Sequence, residues 1–176
     1  METEQDKVLE ALQIAIAMEN DGRECYLMAS EGSGNVVGRT LLELLAAEEE
    51  AHRQVFQQIY EDIRSNKGWP KTDFRPNAGK KLRAVFAQTC EATGVNINGV
   101  SSDFDAIKAV LDKLDKSHDF YERQSMCATY EAERTFYKTM AAEEREHGII
   151  VLDYYEYLTD PAGWFANKEH SSLDGG

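Results

Sequence analysis

The sequence predicts an all-α fold: a four-helix bundle made of two antiparallel hairpins, joined by one long crossover and followed by a C-terminal tail. Three observations predict it. Long Ala-, Leu-, Glu- and Lys-rich stretches are interrupted by only 3 prolines, a composition that favours helix. Apolar residues recur in alternating steps of three and four along four long segments, the spacing of a buried helix face. The chain also repeats itself: a shift of 95 carries Glu49 onto Glu144, His52 onto His147, Tyr26 onto Tyr121 and Tyr60-Glu61 onto Tyr155-Glu156. No gap is needed between Ala11 and Ile63. The period is too long and the copies too few for a solenoid, so each copy reads as one helical hairpin.

The elements follow in order. The first helix is expected from about Gln5 to Ser30, with the seam Leu12, Ala15, Glu19, Gly22 and Tyr26. Gly32-Ser33-Gly34-Asn35 reads as a turn. The second helix should run from about Val37 to Ser65, with Leu41, Leu45, Glu49, His52, Phe56, Ile59 and Ile63 along its seam. Gly68-Trp69-Pro70 and Pro76-Asn77-Ala78-Gly79 break the pattern. Lys80 to Thr93 suits a short helix, with Leu82, Val85 and Phe86 on one side. A loop from Gly94 then ends at Ser102, a candidate N-cap followed by Asp103 and Asp105. The third long helix is expected from Asp103 to Met126 and the fourth from Tyr130 to Thr159, stopped by Asp160-Pro161. The tail reads as extended, with Trp164 and Phe165 free to dock on the bundle or on a partner, and with His170 exposed. The whole of 1–176 is expected to be one domain, with the bundle over about 5–159 and the tail over 160–176.

Charge and cysteine content narrow the classes of function. With 32 acidic and 19 basic residues the net charge is −13, which repels nucleic-acid phosphates and anionic membranes. The N-terminus lacks an apolar signal, and no apolar run is long enough to span a bilayer. Cys25, Cys90 and Cys127 are odd in number and widely separated. They predict reduced thiols and a cytoplasmic location.

The chemistry lies in the repeat. Glu49 and His52, and again Glu144 and His147, stand three residues apart on one helix face. A carboxylate and an imidazole side by side suit iron, manganese or zinc. Glu19 joins them at a seam position where Leu or Ala would be expected. Buried carboxylates without a cation would repel one another and partly protonate. A pair of divalent ions removes both problems. Tyr26 and Tyr121 occupy equivalent seam positions nearby, suited to bonding the carboxylates, to carrying an electron, or simply to packing.

These residues carry a resemblance. Ala15-Ile16-Ala17-Met18-Glu19-Asn20-Asp21-Gly22 with Tyr26, the two Ala-Ala-Glu-Glu-x-x-His segments, and Asp160-Pro161-Ala162-Gly163-Trp164-Phe165 resemble the short members of the rubrerythrin branch of the ferritin-like superfamily. The resemblance implies a ferritin-like bundle with one long crossover and a di-iron carboxylate centre. It implies that Glu19 and His52 are terminal ligands of one iron, that Glu49 and Glu144 bridge, and that His147 is terminal on the other. Glu19, Glu49 and Glu144, with Tyr26 and Tyr121, are then the candidate catalytic residues.

One departure stands out. The repeat carries Glu19 onto Leu114, and Ser117 fills a further place where the family often has a carboxylate. The second ion would lack a terminal ligand, which predicts one tight and one weak site. His118, one turn from Leu114, and Asp115, about 100° around the helix, are the candidate substitutes.

The family's usual activity implies a peroxidase that reduces hydrogen peroxide, or an enzyme acting on dioxygen. A ferroxidase or iron-handling role and a non-catalytic metal-binding bundle are the alternatives. The sequence holds no Cys-x-x-Cys, so no rubredoxin-like iron site is expected in it. Electrons would come from a separate rubredoxin- or flavoprotein-like donor that meets the acidic surface with a basic patch. By analogy with other bundles of this kind a homodimer is expected, with Trp69, Trp164 and Phe165 as contact candidates.

Overall fold

A computed structural model of the chain describes residues 3–70, 74, 76, 79–94 and 100–173, with the side chains of 100–102 and 169–173 excepted. It is all-α, with six helices and no strand among the described residues: α1 (Glu4–Gly32), α2 (Val36–Arg64), α3 (Lys80–Thr93), α4 (Val100–Cys127), α5 (Glu131–Thr159) and α6 (Pro161–Leu173).

Helices α1, α2, α4 and α5 form the bundle expected from the sequence, α1 packing along α2 and α4 along α5, with α1 beside α4. Local chemistry sets the ends. Thr3 and Asp6 form a capping box at the start of α1. The Asn35 side chain accepts from Val37 N at 2.9 Å and starts α2. Direction is fixed by Asp103, at the start of α4, which accepts from Ser33 Oγ at 2.7 Å and Tyr154 Oη at 2.6 Å. The start of α4 therefore lies at the α1–α2 turn, which makes α4 antiparallel to α1. The intervening segment crosses the bundle lengthwise.

Two apolar cores fill the bundle, one above the other. The upper core includes Tyr26, Leu45, Leu114, Val151, Tyr154 and Tyr157, and α3 adds Leu82, Phe86 and Cys90 to it. The lower core includes Leu12, Ala15, Phe56, Tyr121, Phe136 and Met140, with Trp69 and Phe74 of the crossover packed against it. Along α1, α2 and α5 the residues between these two sets are Glu19, Glu49, His52, Glu144 and His147. Truncating a core residue such as Leu45, which is fully buried, would cost about 2–5 kcal/mol.

The structure corrects two expectations, the conformation of the tail and the start of α4. Residues 161–173 are helical, not extended. Asp160-Pro161 ends α5 and also starts α6: the Asp160 carboxylate accepts from Gly163 N at 3.0 Å, and proline suits the first helical position. Trp164 is buried against Phe86 and Tyr157 of its own chain, and its Nε1 donates to Asp153 Oδ1 at 2.8 Å. It thus docks the tail on the bundle, the first of the two roles the sequence left open for it. Ser102 is not the N-cap, because α4 already begins at Val100. Tertiary bonds to Asp103 hold that first turn. His170, expected to be exposed, lies outside the residues whose side chains are described, as do Asn77 and Ala78 of the break. No helix among the described residues is long and apolar enough to cross a membrane.

Candidate metal centre

Between the two cores the bundle turns polar. Glu19, Glu49, His52 and Glu144 are each at most 2% exposed, and their oxygen and nitrogen atoms approach within 4.8 Å of one another. The helical period brings them there. Glu49 and His52 share a face of α2, Glu144 and His147 a face of α5, and Glu19 meets them from α1. His52 Nδ1 stands 3.3 Å from Glu19 Oε2 and 3.8 Å from Glu144 Oε1. His147 Nδ1 stands 3.6 Å from Glu49 Oε1 and 4.0 Å from Glu144 Oε1. The two imidazoles stack at 5.7 Å with their planes 10° apart. Gly22 gives the Glu49 carboxylate its room, since a Cβ there would lie 3.1 Å from Glu49 Oε2.

The surroundings split the five groups. Burial pushes Glu19 up, but the His52 imidazole beside it, with further help from Glu49 and Tyr121, holds it below the usual carboxylate range. Burial, then the neighbouring carboxylates, raises Glu49 and Glu144 well above theirs. For His52 burial works downward, and the carboxylates of Glu19, Glu48 and Glu143 reverse it, so that the net shift is up. The Glu49 and Glu144 carboxyls beside His147 do not reverse the effect of burial there. Burial and the proximity of His52 push it down to about 3.

Whether the residues suit a metal can be judged from what they lack. Eight buried side-chain atoms among the described residues have no hydrogen-bond partner, and seven of them belong to this group: Glu19 Oε2, Glu49 Oε1, His52 Nδ1, both Glu144 oxygens and both His147 nitrogens. At about 1–3 kcal/mol for each, their cost together rivals the roughly 5–15 kcal/mol net stability of a whole domain. Cations are the partners that satisfy carboxylate oxygens and imidazole nitrogens at once. The donor set therefore fits divalent transition-metal ions.

Tyr121 donates its hydroxyl to Glu19 Oε1, and its ring stacks on both Phe56 and Tyr137. Its repeat counterpart Tyr26 is buried in the upper core, and among the described residues its hydroxyl does not bond a carboxylate of the cluster. The repeat supplies the reason. Tyr121 bonds the residue at position 19, and the equivalent partner of Tyr26 would be position 114, which is leucine. Burial and the carboxylates keep both phenols protonated, far above their ordinary range.

The substitutes considered for Leu114 stand apart. His118 is one-third exposed and faces Asp119 at 3.5 Å, and Asp115 is exposed. Neither joins a group of potential ligand atoms. Leu114 itself is 2% exposed and belongs to the apolar core, so α4 contributes no acidic or imidazole group to the cluster.

Sequence reasoning missed the pair Glu48 and Glu143. Both bring a carboxylate within 4.8 Å of a His52 ring nitrogen, and Glu143 is 2% exposed. Glu48 stands four residues before His52 on one helix, a spacing that could have revealed it. Glu143 comes from another helix; the repeat carries Glu48 onto it, but only packing brings it to His52. Phe74 was missed as well; its ring packs edge-on against His52 at 5.6 Å.

Comparison with curated proteins and with solved structures gives no significant match. The family model described as Rubrerythrin matches residues 10–155, a span that contains all five cluster residues, and the chain belongs to the rubrerythrin family.

Proposed function

We propose that this protein is a di-iron oxidoreductase that reduces hydrogen peroxide to water with electrons from a separate protein donor. The observation that carries the reading is the set of seven buried, unpartnered oxygen and nitrogen atoms between the two cores. Glu19 and His52 would hold one ion and His147 the other, with Glu49 and Glu144 shared between them. Two ferrous ions, when bound, supply the two electrons that split a peroxide O–O bond.

The chain's own residues supply the rest. The apolar cores above and below exclude water from the carboxylates, which strengthens every charge interaction there. Tyr121 fixes Glu19 by donating to Oε1, and Phe74 closes over His52 from the crossover. The net charge of −13 favours a donor protein with a basic docking patch. We further propose that the protein works as a homodimer in the cytoplasm.

Anaerobic titration with Fe(II) tests the centre. Two unequal steps are expected, the tighter beside Glu19 and His52; two equal steps would remove the asymmetry. Stopped-flow mixing of the loaded protein with peroxide or dioxygen, under a sustained reductant, tests the reaction. Catalytic turnover of peroxide supports a peroxidase. Stoichiometric consumption of added Fe(II) by dioxygen replaces that reading with a ferroxidase.

A further inference from the structure

A groove of about 290 Å³ runs along the outer side of the α4–α5 pair. Leu114 and Glu144 are among its lining residues, and both are at most 2% exposed, so they form its floor. Glu144 thus belongs both to this groove and to the carboxylate cluster. Three other surface grooves of similar size touch no residue of the cluster.

The wall of the groove contains Gly148. Glycine inside a helix costs about 1 kcal/mol relative to alanine, and Gly148 lies well within the 29 residues of α5. Packing does not require it, because a Cβ at this position would meet nothing within 4 Å. A side chain at this position would project into the open space of the groove. Ile149 and Leu152, 38% and 48% exposed, flank the opening, and His118 and Arg145 add polar groups to it. On the inner side of the floor, both oxygens of Glu144 and both nitrogens of His147 have no partner. Beside Glu144 on this floor, helix α4 places Leu114, which offers no ligand atom.

We infer that this groove is the entry for a small hydrogen-bonding molecule of the peroxide class. That molecule takes the ligand position on the His147 side of the centre that Leu114 leaves unprovided. The inference rests on the metal-centre reading above and deepens it: the missing carboxylate becomes the place of the substrate. The groove volume falls at the lower edge of the roughly 300–1,000 Å³ typical of ligand pockets, which suits a very small molecule rather than an organic substrate.

The test uses the full chain loaded with Co(II), with azide as the probe and the cobalt absorption spectrum as the readout. Gly148→Phe and Leu152→Trp fill the groove from two different positions. Ala109→Phe, in the separate groove between α1 and α4, is the control. Each variant is compared at equal cobalt content and after its circular dichroism is shown to match the parent.

Azide association should slow about tenfold or more in both groove variants and less than about twofold in the control, with equilibrium affinity nearly kept, since the groove governs access. Leu114→Glu should instead weaken equilibrium azide binding about tenfold or more, because the new carboxylate occupies the ligand position. An association rate unchanged in both groove variants, or slowed as much in Ala109→Phe, overturns the inference. So does analytical ultracentrifugation showing that Gly148→Phe dissociates a dimer, which would mark the groove as a surface between copies. Failure of the parent chain to take up cobalt would overturn the metal-centre reading as well, whereas uptake with no effect of the groove variants would overturn the entry alone.

Discussion

The two halves of the centre derive from equivalent positions of one repeat, yet they differ in charge. On the His52 side, Glu19, Glu48 and Glu143 surround the imidazole, and Tyr121 secures Glu19. On the His147 side, the corresponding position on α4 is Leu114, which leaves Tyr26 no carboxylate there to secure, and neither ring nitrogen is bonded. Leucine in place of a carboxylate therefore leaves that side without the ligand and the countercharge that Glu19 supplies on the other. The comparison shows that duplicated helices need not produce duplicated sites. The pairing of one half depends on residues donated by the other, as Glu143 of α5 does for His52 of α2.

The largest expected contrast is in the histidines themselves. In metal-free protein, imidazole NMR should find His52 titrating above its ordinary 6.5 and His147 down at about 3. The signs are opposite. The raised His52 contributes stability that is fully present below its unfolded value and is lost as pH rises through its folded value. The lowered His147 costs stability as pH falls from 6.5 toward about 3, because the unfolded chain takes up that proton first. Coincident titration of the two rings would break the comparison.

Metal should come next in size. A divalent ion at a thousandfold excess over its dissociation constant adds about 4 kcal/mol, or roughly 8–16 °C in melting temperature for a chain of this length. Calorimetry with Fe(II) or Co(II) checks it, and an unchanged melting temperature would remove the reason for the buried carboxylates.

Leu114→Glu sharpens the comparison by making the halves alike. Without metal it should destabilise by about 3 kcal/mol or more, since it adds an uncompensated buried carboxylate. With metal the loss should disappear and the two binding steps should converge. Denaturant titration of both forms reads the difference, and equal destabilisation in each would mean that position 114 does not face the centre.

The smallest pair of effects separates the tyrosines. Tyr121→Phe removes a donor to a buried carboxylate and should cost about 1.5–3 kcal/mol. Tyr26→Phe removes no bond to a carboxylate of the cluster and should cost less. Equal costs would show that the bond from Tyr121 to Glu19 adds nothing of its own.

Much of this molecule was legible before its folding was seen. The steps of three and four along α1, α2, α4 and α5 placed Glu19, Glu49, His52, Glu144 and His147 on inward faces, and the spacing of the repeat paired them. The tail was misread because Asp160-Pro161 signals a stop, and the same two residues are equally good at starting a helix once Trp164 has a core to enter. The turn and crossover residues gave even less notice: nothing near Phe74 announces that its ring will rest on His52.

By itself the sequence determined the helices, the inward stripe of each and the absence of a ligand at position 114, because helical periodicity is local and is written in residue order. Only the tertiary structure decided that Glu48 and Glu143 would both attend His52, that His118 would turn to Asp119 and leave Leu114 unreplaced, and that Gly148 would line a groove above Glu144. Each of these depends on how far apart two helices lie and how they are rotated, and side chains distant in sequence fix those quantities by packing together.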